Sequence, residues 1–144
     1  MKAAATDRLV IHASVTLAWC FPESGSRFAE SVLDRLAAGV DAIVPAVWPL
    51  EVANALLVGE KRGRLAAAQA RAMLRRIADL PIVVEPTGTA LAFGEIFSLA
   101  RAEQLTTYDA AYLELAIREA LPLATLDAGL SRAARRIGID LITA

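Results

Sequence analysis

The stretch Arg8-Leu9-Val10-Ile11-His12-Ala13-Ser14-Val15 decides the fold. Leu9 to Ile11 form an apolar run too short for a helix, and it passes through His12 straight into helix-forming residues with no glycine between them. Residues 8–12 therefore read as a buried strand, with a short helix from Ser14 to Phe21 stopped near Pro22. A strand apolar on both pleat faces belongs to a parallel sheet covered from both sides.

Breakers and periodicity divide the rest in the same way. Ser24 or Ser26 can cap a second helix through Ala38, with Phe28, Val32, Leu33 and Leu36 at helical spacing and Gly39 at its end. Asp41 to Val44 reads as a strand halted at Pro45, and a long, largely buried helix runs from about Val47 to Lys61 with Pro49 in its first turn. The Arg62-Gly63-Arg64 turn precedes a helix from about Ala66 to Ala78, and Pro81 to Glu85 is the third strand. Thr87 or Thr89 opens a helix to about Ala102, Thr107 or Asp109 caps the next through Glu119, and Pro122 to Leu126 is a strand. Ser131 to Ile137 lies in a helix closed by Gly138, and Leu141-Ile142 makes a last short strand. This alternation predicts one α/β domain over residues 1–144, a three-layer α/β/α sandwich with a mostly parallel central sheet. Ligands of such sheets collect at the carboxyl ends of the strands.

Composition narrows the function classes. Of 144 residues 56% are hydrophobic, which excludes a disordered chain. No run approaches the ~18 apolar residues of a membrane helix. Lys2, Asp7 and Arg8 precede the first strand without an apolar leader, so a cytoplasmic location is expected. A single cysteine, Cys20, permits neither an internal disulfide nor a cysteine-built metal site, and a buried thiol beside Trp19 and Phe21 is expected. A net charge of −1 excludes gripping nucleic acid by overall charge. Of the 15 basic residues only Lys2 and Lys61 are lysines, so any contact with phosphate falls to local arginines. Arg62, Arg64, Arg71, Arg75 and Arg76 lie on or beside one helix, where a solvated face is the alternative account.

The polar residues at element ends carry the chemistry. His12 ends the first strand and Asp127 follows the fourth, so both should emerge on one rim. Asp109 lies at a helix start after Thr106-Thr107-Tyr108, and Glu51 lies one turn into the long helix. Asp109 and Asp127 are each also explained as helix caps, and His12 as a satisfied core histidine. Glu51 and Asn54 are the polar exceptions on an apolar helix, and a buried carboxylate needs a partner or a cation.

Four segments occur in order: Leu9-Val10-Ile11-His12-Ala13-Ser14, Pro45-Ala46-Val47-Trp48-Pro49-Leu50-Glu51-Val52-Ala53-Asn54, Leu105-Thr106-Thr107-Tyr108-Asp109-Ala110-Ala111-Tyr112 and Leu123-Ala124-Thr125-Leu126-Asp127. Together, from residue 8 to about 139, they resemble the PIN-domain ribonucleases, in particular the VapC-like toxins of type II toxin–antitoxin pairs. The resemblance implies an endoribonuclease dependent on Mg2+ or Mn2+, with an acidic quartet that binds the metal and does the catalysis. It implies a VapB-like antitoxin, an RNA substrate and a homodimer. Glu51, Asp109 and Asp127 match three of the acids, and Ser14, Asn54 and Thr125 match supporting polar positions. The first acid is replaced by His12.

Clustered carboxylates repel one another, and a divalent cation both relieves that repulsion and activates a bound water for attack on a phosphodiester. Histidine in the first position removes a negative charge, and its nitrogen suits manganese, nickel or zinc better than magnesium. Weak magnesium binding and low nuclease activity are therefore expected, and an inert PIN-like module that binds RNA or antitoxin is the alternative. A phosphoacceptor domain would want a lysine near the last strand, and a dinucleotide enzyme a glycine-rich turn after the first; neither is present. Trp19, Phe21, Phe28 and Trp48 serve either as interface anchors or as core.

Overall fold

A computed structural model describes residues 8–21 and 26–143. Strand β1 (Arg8–Ile11) leads through His12 into helix α1 (Ala13–Cys20), because the short apolar run satisfies a strand and His12 then caps the helix. Helix α2 (Arg27–Ala37) starts at Ser26, whose side chain accepts from the Ala29 N–H, and β2 (Asp41–Pro45) follows. Helix α3 (Val47–Lys61), α4 (Ala67–Ala78) and β3 (Ile82–Glu85) come next. The chain continues through α5 (Thr89–Leu91), a π-helical stretch (Ala92–Ile96) and α6 (Phe97–Glu103). Helix α7 (Thr107–Glu119), β4 (Leu123–Ala124) and α8 (Ala128–Ile137) complete the order.

The sheet has the order β3-β2-β1-β4, and all its pairings are parallel, with Val10 opposite Ile43 on one side and Leu123 on the other. Leu9 to Ile11 and Ala42 to Pro45 are buried on both pleat faces, so helices cover both sides and the three-layer α/β/α expectation holds. One apolar cluster, including Ile11, Val15, Ile43, Leu56, Tyr112 and Leu130, runs through sheet and helices. Among the described residues no helix is long and apolar enough to cross a membrane.

Several expectations need correction. The fourth strand is only Leu123–Ala124, because the Leu126 N–H donates to the Ser14 hydroxyl (2.9 Å) and so leaves the strand for the site. Leu141 forms a single parallel bridge to Leu123 and no strand over 141–142. The cap of α7 is Thr106, whose hydroxyl accepts from the Asp109 N–H (3.0 Å); neither Thr107 nor Asp109 caps it, and Asp109 lies inside the first turn. The helix after Thr89 carries a π stretch that periodicity could not reveal, since one extra residue per turn leaves the composition unchanged. Helix α3 is not largely buried: Leu50 is 72% exposed, Leu57 is 48% exposed, and Asn54 faces solvent. Phe21 and Trp48 are core residues, Trp48 donating to the Thr16 hydroxyl, while Trp19 and Phe28 pack partly buried against that core. Pro22, Ser24, Lys2 and Asp7 lie outside the described residues.

Candidate functional site

The rim at the carboxyl end of β1 gathers His12, Ser14, Asp109 and Thr125. The His12 N–H donates to the Ala124 carbonyl (2.9 Å), so the β1–β4 ladder fixes the backbone from which the imidazole projects. His12 then caps α1, its Nδ1 accepting from the Ser14 N–H at 3.4 Å. The ring is buried, and its Nε2 lies 2.9 Å from Asp109 Oδ1. A carboxylate only accepts, so Nε2 donates to Asp109, and Nδ1, which accepts from the Ser14 N–H, faces hydroxyls. Two are there: Ser14 Oγ at 2.8 Å and Thr125 Oγ1 at 3.1 Å.

Asp127 joins through the backbone and its cap. Its N–H donates to Thr125 Oγ1 (3.0 Å), and its Oδ2 accepts from the Leu130 N–H (2.8 Å) at the start of α8. The capping reading of Asp127 is thus correct as far as it goes. Glu51 enters through Tyr112, whose hydroxyl donates to Oε1 at 2.6 Å. The Tyr112 ring meets the His12 ring edge-on, with centroids 4.7 Å apart and planes at 75°.

Tyr112 is therefore the central residue that sequence reasoning did not single out. Its only signal was a hydroxyl one turn beyond Asp109 in an apolar helix. Burial drives its hydroxyl far above the ordinary phenol range, the hydrogen bond to Glu51 and the charge of that carboxylate add to this, and Asp109 contributes further. A backbone bond involving Ala13 acts in the opposite sense. The phenol thus stays a donor.

His12, Glu51 and Asp109 share one hydrogen-bonded and stacked neighbourhood with Ser14 and Thr125, and Asp127 borders it. Asn54 is exposed on α3 and takes no part. Among the described residues no three histidine, cysteine, aspartate or glutamate side chains form a group able to hold a metal ion. Each acid already has a protein partner: one oxygen of Asp109 faces imidazole, one of Glu51 the phenol and one of Asp127 a helix cap. The donor set as arranged does not fit a divalent ion. Cys20 is buried, and burial pushes its thiol up to about 11, in line with an inert core thiol. Arg62, Arg71, Arg75 and Arg76 are exposed, and the Arg64 guanidinium sits 4.2 Å above the Phe21 ring.

An all-parallel α/β sandwich with polar and acidic side chains gathered beside the carboxyl end of β1 places the chain in the α/β class whose ligands collect on that rim. The family model for the PIN domain matches residues 9–136, and the chain belongs to the PIN-domain family, whose members are generally nucleases and typically use divalent metals. In shape it is similar to PAE2754 from Pyrobaculum aerophilum (TM-score 0.70, 21% identity, covering 91% of this chain and 87% of that one). It is also similar to VapBC2 from Rickettsia felis bound to a DNA fragment from their promoter (TM-score 0.65, 12% identity, 94% and 97% covered). A third likeness is to FitAcB from Neisseria gonorrhoeae (TM-score 0.60, 16% identity, 94% and 96% covered). No curated protein sequence matches the chain.

Proposed function

We propose that this chain is the toxin-type PIN domain of a toxin–antitoxin pair, that its substrate is RNA, and that His12 holds its hydrolytic activity low. The observation that carries this reading is the 2.9 Å contact of His12 Nε2 with Asp109 Oδ1, beside Glu51 on the Tyr112 hydroxyl. Glu51, Asp109 and Asp127 are the catalytic and metal-binding acids of the intact arrangement, with Ser14 and Thr125 in support; Asn54, exposed on α3, drops out of that set. In this chain imidazole stands in the first position and engages the acid that would face a magnesium or manganese ion.

Support for a VapB-like antitoxin comes from the VapBC2 and FitAcB likenesses. Exposed Leu50, Leu57, Phe93, Phe97 and Tyr108 supply apolar surface for that partner and for a homodimer working in the cytoplasm. The exposed arginines of the α3–α4 turn and of α4 supply contacts to RNA phosphates.

The test compares the protein with its His12→Asp form on RNA in Mg2+ and in Mn2+, with metal affinity measured by calorimetry. Cleavage by His12→Asp at least ~100-fold faster, the scale of losing one catalytic group, is expected. Equal turnover and equal magnesium affinity would overturn the role of His12. Cleavage by neither form would overturn the nuclease reading. A second reading, a module that binds RNA or antitoxin without cutting, is favoured by the same His12–Asp109 contact. RNA retained without cleavage in manganese would establish it.

A further inference from the structure

We propose that Ser14, His12 and Asp109 form a nucleophilic triad that accepts acyl groups from activated carboxylic esters, an activity separate from any action on RNA. The geometry points to it directly: Ser14 Oγ lies 2.8 Å from His12 Nδ1, and His12 Nε2 lies 2.9 Å from Asp109 Oδ1. Asp109 accepts from Nε2, so Nδ1 is the acceptor; it faces the Ser14 hydroxyl at 2.8 Å, with the Ser14 N–H a longer contact at 3.4 Å. Ser14 Oγ already accepts the Leu126 N–H at 2.9 Å, so its own hydrogen is directed to a base. Thr125 Oγ1 lies 3.1 Å from the same nitrogen and 3.4 Å from Ser14 Oγ, so its hydrogen competes for the base unless it turns to the serine oxygen, and Thr125→Val should speed labelling of Ser14. The two ring nitrogens are exchanged relative to the usual serine hydrolase order, but each keeps its role, one oriented by a carboxylate and one taking the hydroxyl proton.

Ser14 is only half-buried and opens on a cavity of about 460 Å3. Leu17, Ala18 and Phe21 make its apolar wall, and exposed Arg62 adds a guanidinium group. A short apolar acyl chain ending in a carboxylate suits that lining. In the reaction the Ser14 Oγ–carbonyl bond forms as its proton passes to His12 Nδ1. The tetrahedral centre then collapses, the bond to the leaving oxygen breaks, and that oxygen takes the proton. Water repeats the sequence on the acyl-serine and releases the acid.

An alkyl fluorophosphonate, located by intact mass and peptide mapping, reads the nucleophile. The folded protein should take one label on Ser14, Ser14→Ala none, and His12→Gln and Asp109→Asn should label about 100-fold more slowly. Circular dichroism verifies that each variant is folded, and unfolding the native protein in urea should abolish labelling. The p-nitrophenyl monoester of succinic acid should turn over faster than p-nitrophenyl acetate, with the preference lost in Arg62→Ala. No label on Ser14, or labelling that persists at the native rate in folded His12→Gln, overturns the triad. Neither result bears on RNA cleavage by His12→Asp, so the two readings fail separately.

Discussion

Removing the Tyr112 hydroxyl takes from Glu51 Oε1 the donor that lies 2.6 Å away, while the ring stays against His12. Water reaches half-buried Glu51 and offsets part of that loss, so Tyr112→Phe should cost about 1–2 kcal/mol in urea unfolding. An unchanged midpoint would mean that the bond contributes nothing. Cys20 makes a second residue-scale prediction. Its thiol ionises near 9.0 when unfolded and is held up to about 11 by burial in the native chain. Between those values the unfolded chain binds fewer protons than the native one, so stability falls as pH rises through that window. The wild type should lose up to about 1.4 kcal/mol per pH unit more than Cys20→Ala over that range. Parallel slopes in the two proteins would refute it. The order of His12, Glu51 and Asp109 made their nearness legible, because each lies at or just beyond an element boundary that a parallel sheet brings to one rim, while the Asp127 side chain is spent on the α8 cap. Tyr112 was not legible, since an aromatic in an apolar helix is ordinary core until its partner across 61 residues is known.

At the scale of elements, the Phe21 ring just beyond α1 and Leu65 in the α3–α4 turn leave Gly59 no room for a side chain without a shift. A Cβ there would stand 2.8 Å from the Phe21 ring and from Leu65 Cδ2. Alanine is the better helix former, yet Gly59→Ala should destabilise by about 1–3 kcal/mol, because overpacking outweighs propensity. A rise in the thermal midpoint would show that Phe21 and Leu65 yield freely. Thr106→Ala removes the cap that precedes Asp109 by one turn, and about 1 kcal/mol of stability should go with it. Helix α3 was read to its residue bounds from apolar periodicity and Pro49, whereas its exposure was misjudged. An apolar stripe on the solvent side, with Leu50 and Leu57, is indistinguishable from core until the sheet is in place. The π stretch and the two-residue β4 escaped for a related reason. One depends on a hydrogen-bond shift and the other on a side chain, Ser14, that claims a backbone donor from the far end of the molecule.

For the whole molecule, the question is what holds three carboxylates around one rim. Each already has a protein donor: imidazole for Asp109, phenol for Glu51 and the Leu130 N–H for Asp127. With those donors in place, folding does not depend on a divalent counter-ion, and a ligand stabilises only insofar as it binds the native state. The thermal midpoint of the wild type should therefore be the same in Mg2+ and in chelator. His12→Asp reverses the balance, since it exchanges a donor to Asp109 for a second carboxylate beside it. That variant should lose about 1–3 kcal/mol in chelator and recover it as Mg2+ or Mn2+ is added. Scanning calorimetry of both proteins across a cation titration measures this. A wild-type midpoint that climbs as steeply as that of the variant would mean that His12 leaves the metal its place, and the account of low activity built on that residue would go with it.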